Sequence, residues 1–526
     1  WISHELNLAS TGKGPFQWLL GAYYYHEHFQ QPVSTSLVNQ PLANGPFITN
    51  ATCVFTGGAC PQTAGEQRLY DDRPDFKVDS RAVYGQIDWE FVPHWKTTIG
   101  LRYTSDQEKG VEQLRLLCMD VAACLASPPT YPVGLGPELA GNFLIDLTQI
   151  PTVVYGYPGF AGGVGTPGVS SNTTVDPATG FATRHYNDKW SATTGTAGIQ
   201  WQPDNDTNVY LRYSRGYKAG GLRVGIDTTL GPNPNSSAEH ANAYEFGIKK
   251  DFGRTLQTNL AVFYYDYSNT QVPITIANTA GGGASLPSNI FYNIPKAISQ
   301  GVELETIWQP IRNLQIMFNY SYLDAHITDS KGVIDPADPT AQAPGAKPIG
   351  ALVPCTVVQP AGPTGGPTYT SGCDVFTGYN QRGQDLSGNH LPNAPKNKIA
   401  LNVNYTVDLP FGELIPSVNY IWRDAEYGSI FDRSFYRSPS YSQVDARVTF
   451  KPENGKYTVI LYGRNIFNTL GYEGGASAYR RAGFVPGYAT GASASPFVVP
   501  VNQGVVSTYP ITPPRTYGIE LQYRFF

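Results

Sequence analysis

Methionine is almost absent from this chain, with 2 residues in 526, and neither sign of charge is in large excess, the formal net charge being -5. That charge is too mild to mark a nucleic-acid partner, and no basic stripe or block of like charges occurs. No run of ~18 apolar residues exists, so a transmembrane helix is excluded. No C-x-x-C is present and histidine is sparse, which argues against a tetrahedral metal site. Neither G-x-S-x-G nor H-E-x-x-H occurs, and no Ser/His/Asp set assembles from the sequence, so no catalytic residue is assigned. Gly163 to Gly168 (GVGTPG) fits G-x-G-x-x-G but lacks the strand before and the helix after, and Pro167 interrupts it. It reads as loop, as does Gly281 to Gly283, and no cofactor is expected. The chain also opens without an initiator Met or a signal peptide, on Trp1 inside a strand pattern. The expectation is a mature remainder or C-terminal fragment of something longer.

What is abundant is tyrosine (35 residues), glycine (55) and proline (42), the last two making roughly a fifth of the chain against a usual ~12%. That mixture suits many strands joined by turns and long loops. The strands are legible by alternation. Val209, Leu211 and Tyr213 alternate with Arg212, Ser214, Gly216 and Lys218; Val83, Gly85, Ile87, Trp89 and Phe91 alternate with Tyr84, Gln86, Asp88 and Glu90. A turn at Pro93 and His94 leads to Ile99, Leu101 and Tyr103 as a partner strand. The same pattern predicts a strand over Phe16 to His28 and further strands to the C-terminus, about 15 in all, many of ~10 residues. Four stretches read as irregular: the approach to about Phe76, the connection from about Arg115 to Asn187, the region from Asp329 to about Pro395, and the last connection before the terminal strand.

The connections alternate between a tight turn and a long loop. Cys53 and Cys60, Cys118 and Cys124, and Cys355 and Cys373 form three close pairs, each in a long loop, which fits local disulfides in an oxidising compartment. Short turns at one end and long loops at the other are the habit of an outer-membrane barrel, and lipid-exposed backbone must close on itself. The fold class expected is therefore all-β, a transmembrane antiparallel β-barrel. Its apolar face meets lipid, its Tyr and Trp supply the interfacial girdles, and Arg102, Asp88, Glu303, Asn319, Asn402 and Asp445 face a wet lumen. A soluble solenoid or propeller would need repeats of equal length, which the uneven spacing does not supply.

The terminal YGIELQYRFF resembles the C-terminal strand signature of bacterial outer-membrane proteins, so Tyr523, Phe525 and Phe526 are read as the signal met by the barrel-assembly machinery, with Phe525 in phase and Phe526 an extra residue. YLRYSRGYKAGG (Tyr210 to Gly221), ELNLAS (Glu5 to Ser10), PFQWLLGAYYYHE (Pro15 to Glu27), QGVELE (Gln300 to Glu305) and YGRNIFN (Tyr462 to Asn468) stand in barrel order along the chain. With these motifs the sequence resembles the TonB-dependent receptors of the outer membrane. The resemblance implies a barrel of about 22 strands with a plugged lumen, so residues 1–526 correspond to its C-terminal part, with the first seven or so strands, the plug and the TonB-contacting segment outside this chain. It implies active uptake of a scarce small-molecule solute, most commonly a ferric siderophore. The alternatives are a passive porin and an outer-membrane hydrolase. Arg212, Lys218 and Arg223 are candidate holders of an anionic substrate, or solvated lumen and rim charges. His26 and His28 lie two apart on one strand face and together suit a metal, but parity places them with Leu20, Ala22 and Tyr24 on the lipid side near the outer rim.

Overall fold

The computed structural model describes residues 1–36, 47–48, 68–118, 144–146, 173–176, 181–222, 235–277, 287–359, 368–369, 373–374, 377–488 and 496–525. Fifteen strands carry the architecture. They are β1 (Ile2–Ala9), β2 (Phe16–Gln30), β3 (Arg68–Val92), β4 (Trp95–Cys118), β5 (Ala182–Asp204), β6 (Thr207–Lys218), β7 (Glu239–Phe252) and β8 (Leu256–Ala277). There follow β9 (Pro287–Ile311), β10 (Leu314–Asp329), β11 (Asn397–Tyr405), β12 (Gly412–Arg423), β13 (Tyr441–Pro452), β14 (Tyr457–Arg464) and β15 (Thr516–Tyr523). Each pairs antiparallel with the next, from β1 against β2 to β14 against β15. The sheet is one continuous meander, and among the described residues no pairing joins β1 to β15.

Register explains the composition. One rung runs through Leu8, Leu20, Gly85 and Leu101. Leu8, Leu20 and Leu101 are more than half exposed, and Leu101 is 64% exposed. Val83, Leu211, Phe246, Val262 and Ile519 share that exposed, apolar face. An apolar wall of this extent has no place in water, and it is what a lipid-facing surface requires. Arg102, Asp88, Glu303, Asn319, Asn402 and Asp445 occupy the opposite parity, as expected of a lumen. Tight turns join alternate strands, and His94 (φ 72°) and Gly253 (φ 61°) supply the left-handed conformations that two of them need.

The strands are taller than alternation predicts. β3 begins at Arg68, ahead of Phe76; β4 runs on to Cys118; and β5 begins at Ala182. Cys118 therefore closes a strand and does not lie in a loop. A ~10-residue strand crosses a bilayer, so the upper part of these 23- to 25-residue strands stands above it. There the outward face turns polar and the opposite face buries residues of mixed kind, Phe76, Ala82, Glu112, Arg184 and Tyr186, so the hydrophobic alternation fades while the backbone ladder continues unannounced by the sequence.

The region after Asp329 is also ordered where it is described. Val333, Ala337 and Leu386 from it join Ile430, Phe431 and Tyr436, Ala478, and the strand-top residues Val272, Tyr292, Ile294, Ala297 and Ile327 in one buried cluster. Among the described residues this cap is the buried apolar core. In the last long connection, Ser477–Tyr488 pairs with Pro496–Thr508 as a hairpin. Among the described residues no helix is long and apolar enough to cross a membrane.

Candidate functional site

The lumen wall is built from rungs that the ladder draws across many strands. One passes through Tyr210, Gly247, Ala261, Glu303, Ser321, Lys398, Arg423 and Tyr441. Glu303, Ser321, Lys398, Arg423 and Tyr441 line a concavity of about 390 Å³, together with Glu305 and Asn319 from the next rung. A second concavity of about 240 Å³ shares Glu303 and Glu305 and adds Tyr210, Glu245, Lys249, Phe263 and Tyr265.

Charge in this wall is partly self-satisfied. The Arg423 guanidinium pairs with Glu426, donates to the Tyr472 carbonyl at 2.6 Å, and lies 5.1 Å from the Tyr441 ring. That engagement relieves its position directly opposite Lys398. Asn259 donates to Glu305 at 3.3 Å. Glu303 and Lys398 have no ion-pair partner among the described residues, and two strand spacings, roughly 10 Å, separate them. The wall thus offers a carboxylate and an ammonium with aromatic and amide groups nearby. It is equipped for reversible polar binding.

The candidates named from sequence do not converge. Arg212 pairs with Glu245 at 3.0 Å, and the Tyr210 hydroxyl donates to the same carboxylate at 2.7 Å. Lys218 lies six residues further up the same face, roughly 20 Å away, with its ammonium 5.6 Å from the Phe291 ring. Arg223, Cys53, Cys60, Cys124 and Phe526 lie outside the described residues, as do Gly163 to Gly168 and Gly281 to Gly283. Cys355 is disulfide-bonded, and its backbone amide donates to Gly378 beside the short pair formed by Cys373–Asp374 and Tyr379–Asn380. Tyr523 and Phe525 extend the exposed apolar face and meet edge to face at 5.0 Å. His26 and His28 are held by Asp79 and Asp75, at 3.0 and 2.7 Å, on the outward face above the apolar belt. Lys398, Arg423 and Tyr441 escape sequence reasoning. Their signal is register, which is invisible until the strands are paired.

Above the lumen the cap holds a buried polar network. Arg433 is 1% exposed; it donates to the Gly345 carbonyl at 2.7 Å and to Gln384, and its Nε stands 4.0 Å from Asp335 and 3.9 Å from Asp338. Asp335 accepts from the Tyr436 hydroxyl at 2.8 Å and from the Ala337 amide at 2.9 Å. Burial pushes its carboxyl up to about 6, and burial likewise pushes the Tyr436 phenol upward. At the cap's edge His390 bonds Asp432 at 2.8 Å and stacks on Tyr427. The Asp432 contact holds the imidazole above its usual range against partial burial.

Residues 3–466 match the family model described as TonB dependent receptor-like, beta-barrel. None of the curated proteins matches the sequence. Among solved structures, the chain is similar to the ferric yersiniabactin uptake receptor FyuA from Yersinia pestis, at 14% identity over 100% of this chain and 54% of that one, with a TM-score of 0.56. It is also similar to the siderophore receptor PiuA from Acinetobacter baumannii, at 17% identity over 98% of this chain and 56% of that one, with a TM-score of 0.49. The chain spans about half the length of these structures.

Proposed function

The chain belongs to the TonB-dependent receptor family through its β-barrel, and from that premise we propose that the whole protein takes up a scarce solute, a ferric siderophore first, across the bacterial outer membrane under the pull of TonB. The observation that carries the reading is the family match over residues 3–466, and the polar lumen wall around Glu303, Lys398 and Arg423 agrees with it. In this reading residues 1–526 are the C-terminal part of the barrel. The remaining strands pair with the edges of β1 and β15, an N-terminal plug occupies the lumen, and TonB acts on a segment of that plug.

The chemistry asked of the barrel is binding and passage. Long loops and cap gather solute at the mouth. The wall supplies donors and acceptors that hold it without desolvating it fully, so that motion of the plug releases it. Arg212 is neutralised by Glu245 and in this reading stiffens the wall, whereas Lys218, higher up, and Arg223 remain the candidates for meeting an anionic ligand.

The test is uptake of radiolabelled iron by a strain lacking the gene, supplied with single ferric siderophores. Loss of uptake of one chelate, restored by the full-length gene, is the expected result. An unchanged profile across the panel removes the siderophore assignment. Steady conductance through the full-length protein in a planar bilayer, without TonB, would favour a passive channel instead.

A further inference from the structure

The outward face of β2 to β5 changes chemistry abruptly at one height. Moving up from its tight turn, β3 presents Phe91, Trp89, Ile87 and Val83, and then Arg81, Asp79 and Lys77. At ~3.3 Å per residue and a tilt of ~40°, Val83 stands about 20 Å and Arg81 about 25 Å above Phe91, the latter being the height of an outer-membrane hydrocarbon band. Arg81 therefore stands where headgroups begin. The neighbouring strands repeat the step, with Lys109 on β4 above Tyr103 and Lys189 on β5 above Ile199, both exposed and on the same face.

This arrangement works against itself in the protein alone. Lys77 lies directly opposite Lys109 in the ladder, and like charges so placed destabilise a strand pair. Lys189 is diagonal to Lys109, since Gln107 pairs Lys189 and Lys109 pairs Asn187. Asp79 reaches Lys109 only at 3.9 Å and is already bonded to His26. Beyond Asp79, Lys77 has only the Asp75 carboxylate on its face, already bonded to His28 and Gln30; Arg81 and Lys189 form no ion pair among the described residues, and Arg81 lies 5.8 Å from the Tyr24 ring. The backbone amides there are taken by the ladder, so only flexible side chains are on offer. Such a set grips poorly on a free anion and well on one brought to the wall by its own acyl chains.

We propose that Lys77, Arg81, Lys109 and Lys189 clamp the phosphate groups of a lipid headgroup in the outer leaflet. The lipid's chains lie along the apolar belt directly below, and its phosphates relieve the facing lysines. This rests on the barrel standing in the membrane and is independent of the solute it carries.

The test uses full-length protein in nanodiscs of phosphatidylcholine containing a minor fraction of lipid A, either diphosphorylated or dephosphorylated. Native mass spectrometry reads the lipid retained, and heat-modifiable electrophoretic migration separately reads insertion. Wild-type protein is expected to retain the phosphorylated lipid on the order of tenfold better than the Lys109→Gln/Lys189→Gln variant, with both proteins inserted and no preference for the dephosphorylated form. Equal retention by wild type and variant, equal retention of the two lipids, displacement by inorganic phosphate alone, or failure of the wild-type protein to insert would each overturn it. An unchanged iron-uptake profile in the deletion strain beside an intact lipid preference would remove the siderophore reading and leave this one standing.

Discussion

Gly21, Gly247 and Gly518 sit inside strands, where glycine is ordinarily a weakness. Each lies beneath a tyrosine of the adjacent strand, and an added Cβ would fall within the ring of Tyr84, Tyr210 or Tyr462 respectively. The ring lies flat across the gap on the lumen face, and in two cases its hydroxyl reaches a carboxylate: Tyr84 bonds Glu5, and Tyr210 bonds Glu245. These three tyrosine–glycine pairs thus have a common purpose. Gly247→Val is expected to cost about 1–3 kcal/mol by overpacking, read as a lower urea midpoint in tryptophan fluorescence, with Tyr210→Ala in the same background recovering part of it. Arg433 presents the opposite case, a buried cation serving two carboxylates. Arg433→Met leaves Asp335 and Asp338 without their counter-charge and is expected to cost the cap about 3–5 kcal/mol. The readout is rapid protease cleavage within residues 330–396 while the barrel stays intact.

The cap should also respond to pH, and the sign follows from the two groups that titrate within it. The His390 value is raised by Asp432, so its contribution is full below the unfolded histidine value near 6.5 and is lost as pH rises through the higher folded value. Asp335, raised to about 6 from 3.8, binds its proton more tightly in the folded cap, so stability falls as pH climbs between those values. Both make the cap tighter in acid. Protease resistance of residues 330–396 is expected to fall from pH 5 to pH 8, and His390→Asn should abolish the upper part of that fall and leave the lower.

At the scale of the strand, parity decides everything. Ile99 sits outward at mid-belt and Asn402 faces the lumen. Ile99→Arg places a charge in hydrocarbon and is expected to cost about 2–4 kcal/mol, whereas Asn402→Arg should be nearly neutral; unfolding titrations in lipid distinguish them. This parity was readable from the residues alone, because an apolar face against lipid and a polar face against water impose period two. Strand length was not readable. Above Val83 and Tyr103 the outward face of β3 and β4 turns polar and the inward face buries polar and apolar residues alike, such as Phe76 and Glu112, so the pattern that marks a strand disappears although the hydrogen bonds persist. The cap was equally hidden, since its core is assembled from residues such as Val333, Leu386, Phe431 and Ala478 that are far apart in the chain and show no period in any one segment.

At the scale of the whole molecule, the fifteen-strand meander has two edges unpaired among the described residues, and the first of them, β1, is exposed along its length. Hydrocarbon does not tolerate unpaired backbone. Residues 1–526 refolded alone into detergent are therefore expected to give no heat-modifiable barrel, whereas the full-length protein gives one; a compact heat-modifiable form of the shorter chain would contradict the proposed closure by further strands.

Alternation, turn chemistry and the terminal YGIELQYRFF determined by themselves that this is an antiparallel barrel wall, and which side chains face lipid, because those properties repeat every two residues and need no knowledge of a partner. The tertiary structure alone decided what those side chains do. Pairing brought Lys398 opposite Arg423, sent Arg212 to Glu245 and away from Lys218, set Lys77 against Lys109, and gathered three loops over a buried arginine. Each of these depends on register between distant segments, and register is settled by the summed contacts of a whole strand, which no single stretch of sequence contains.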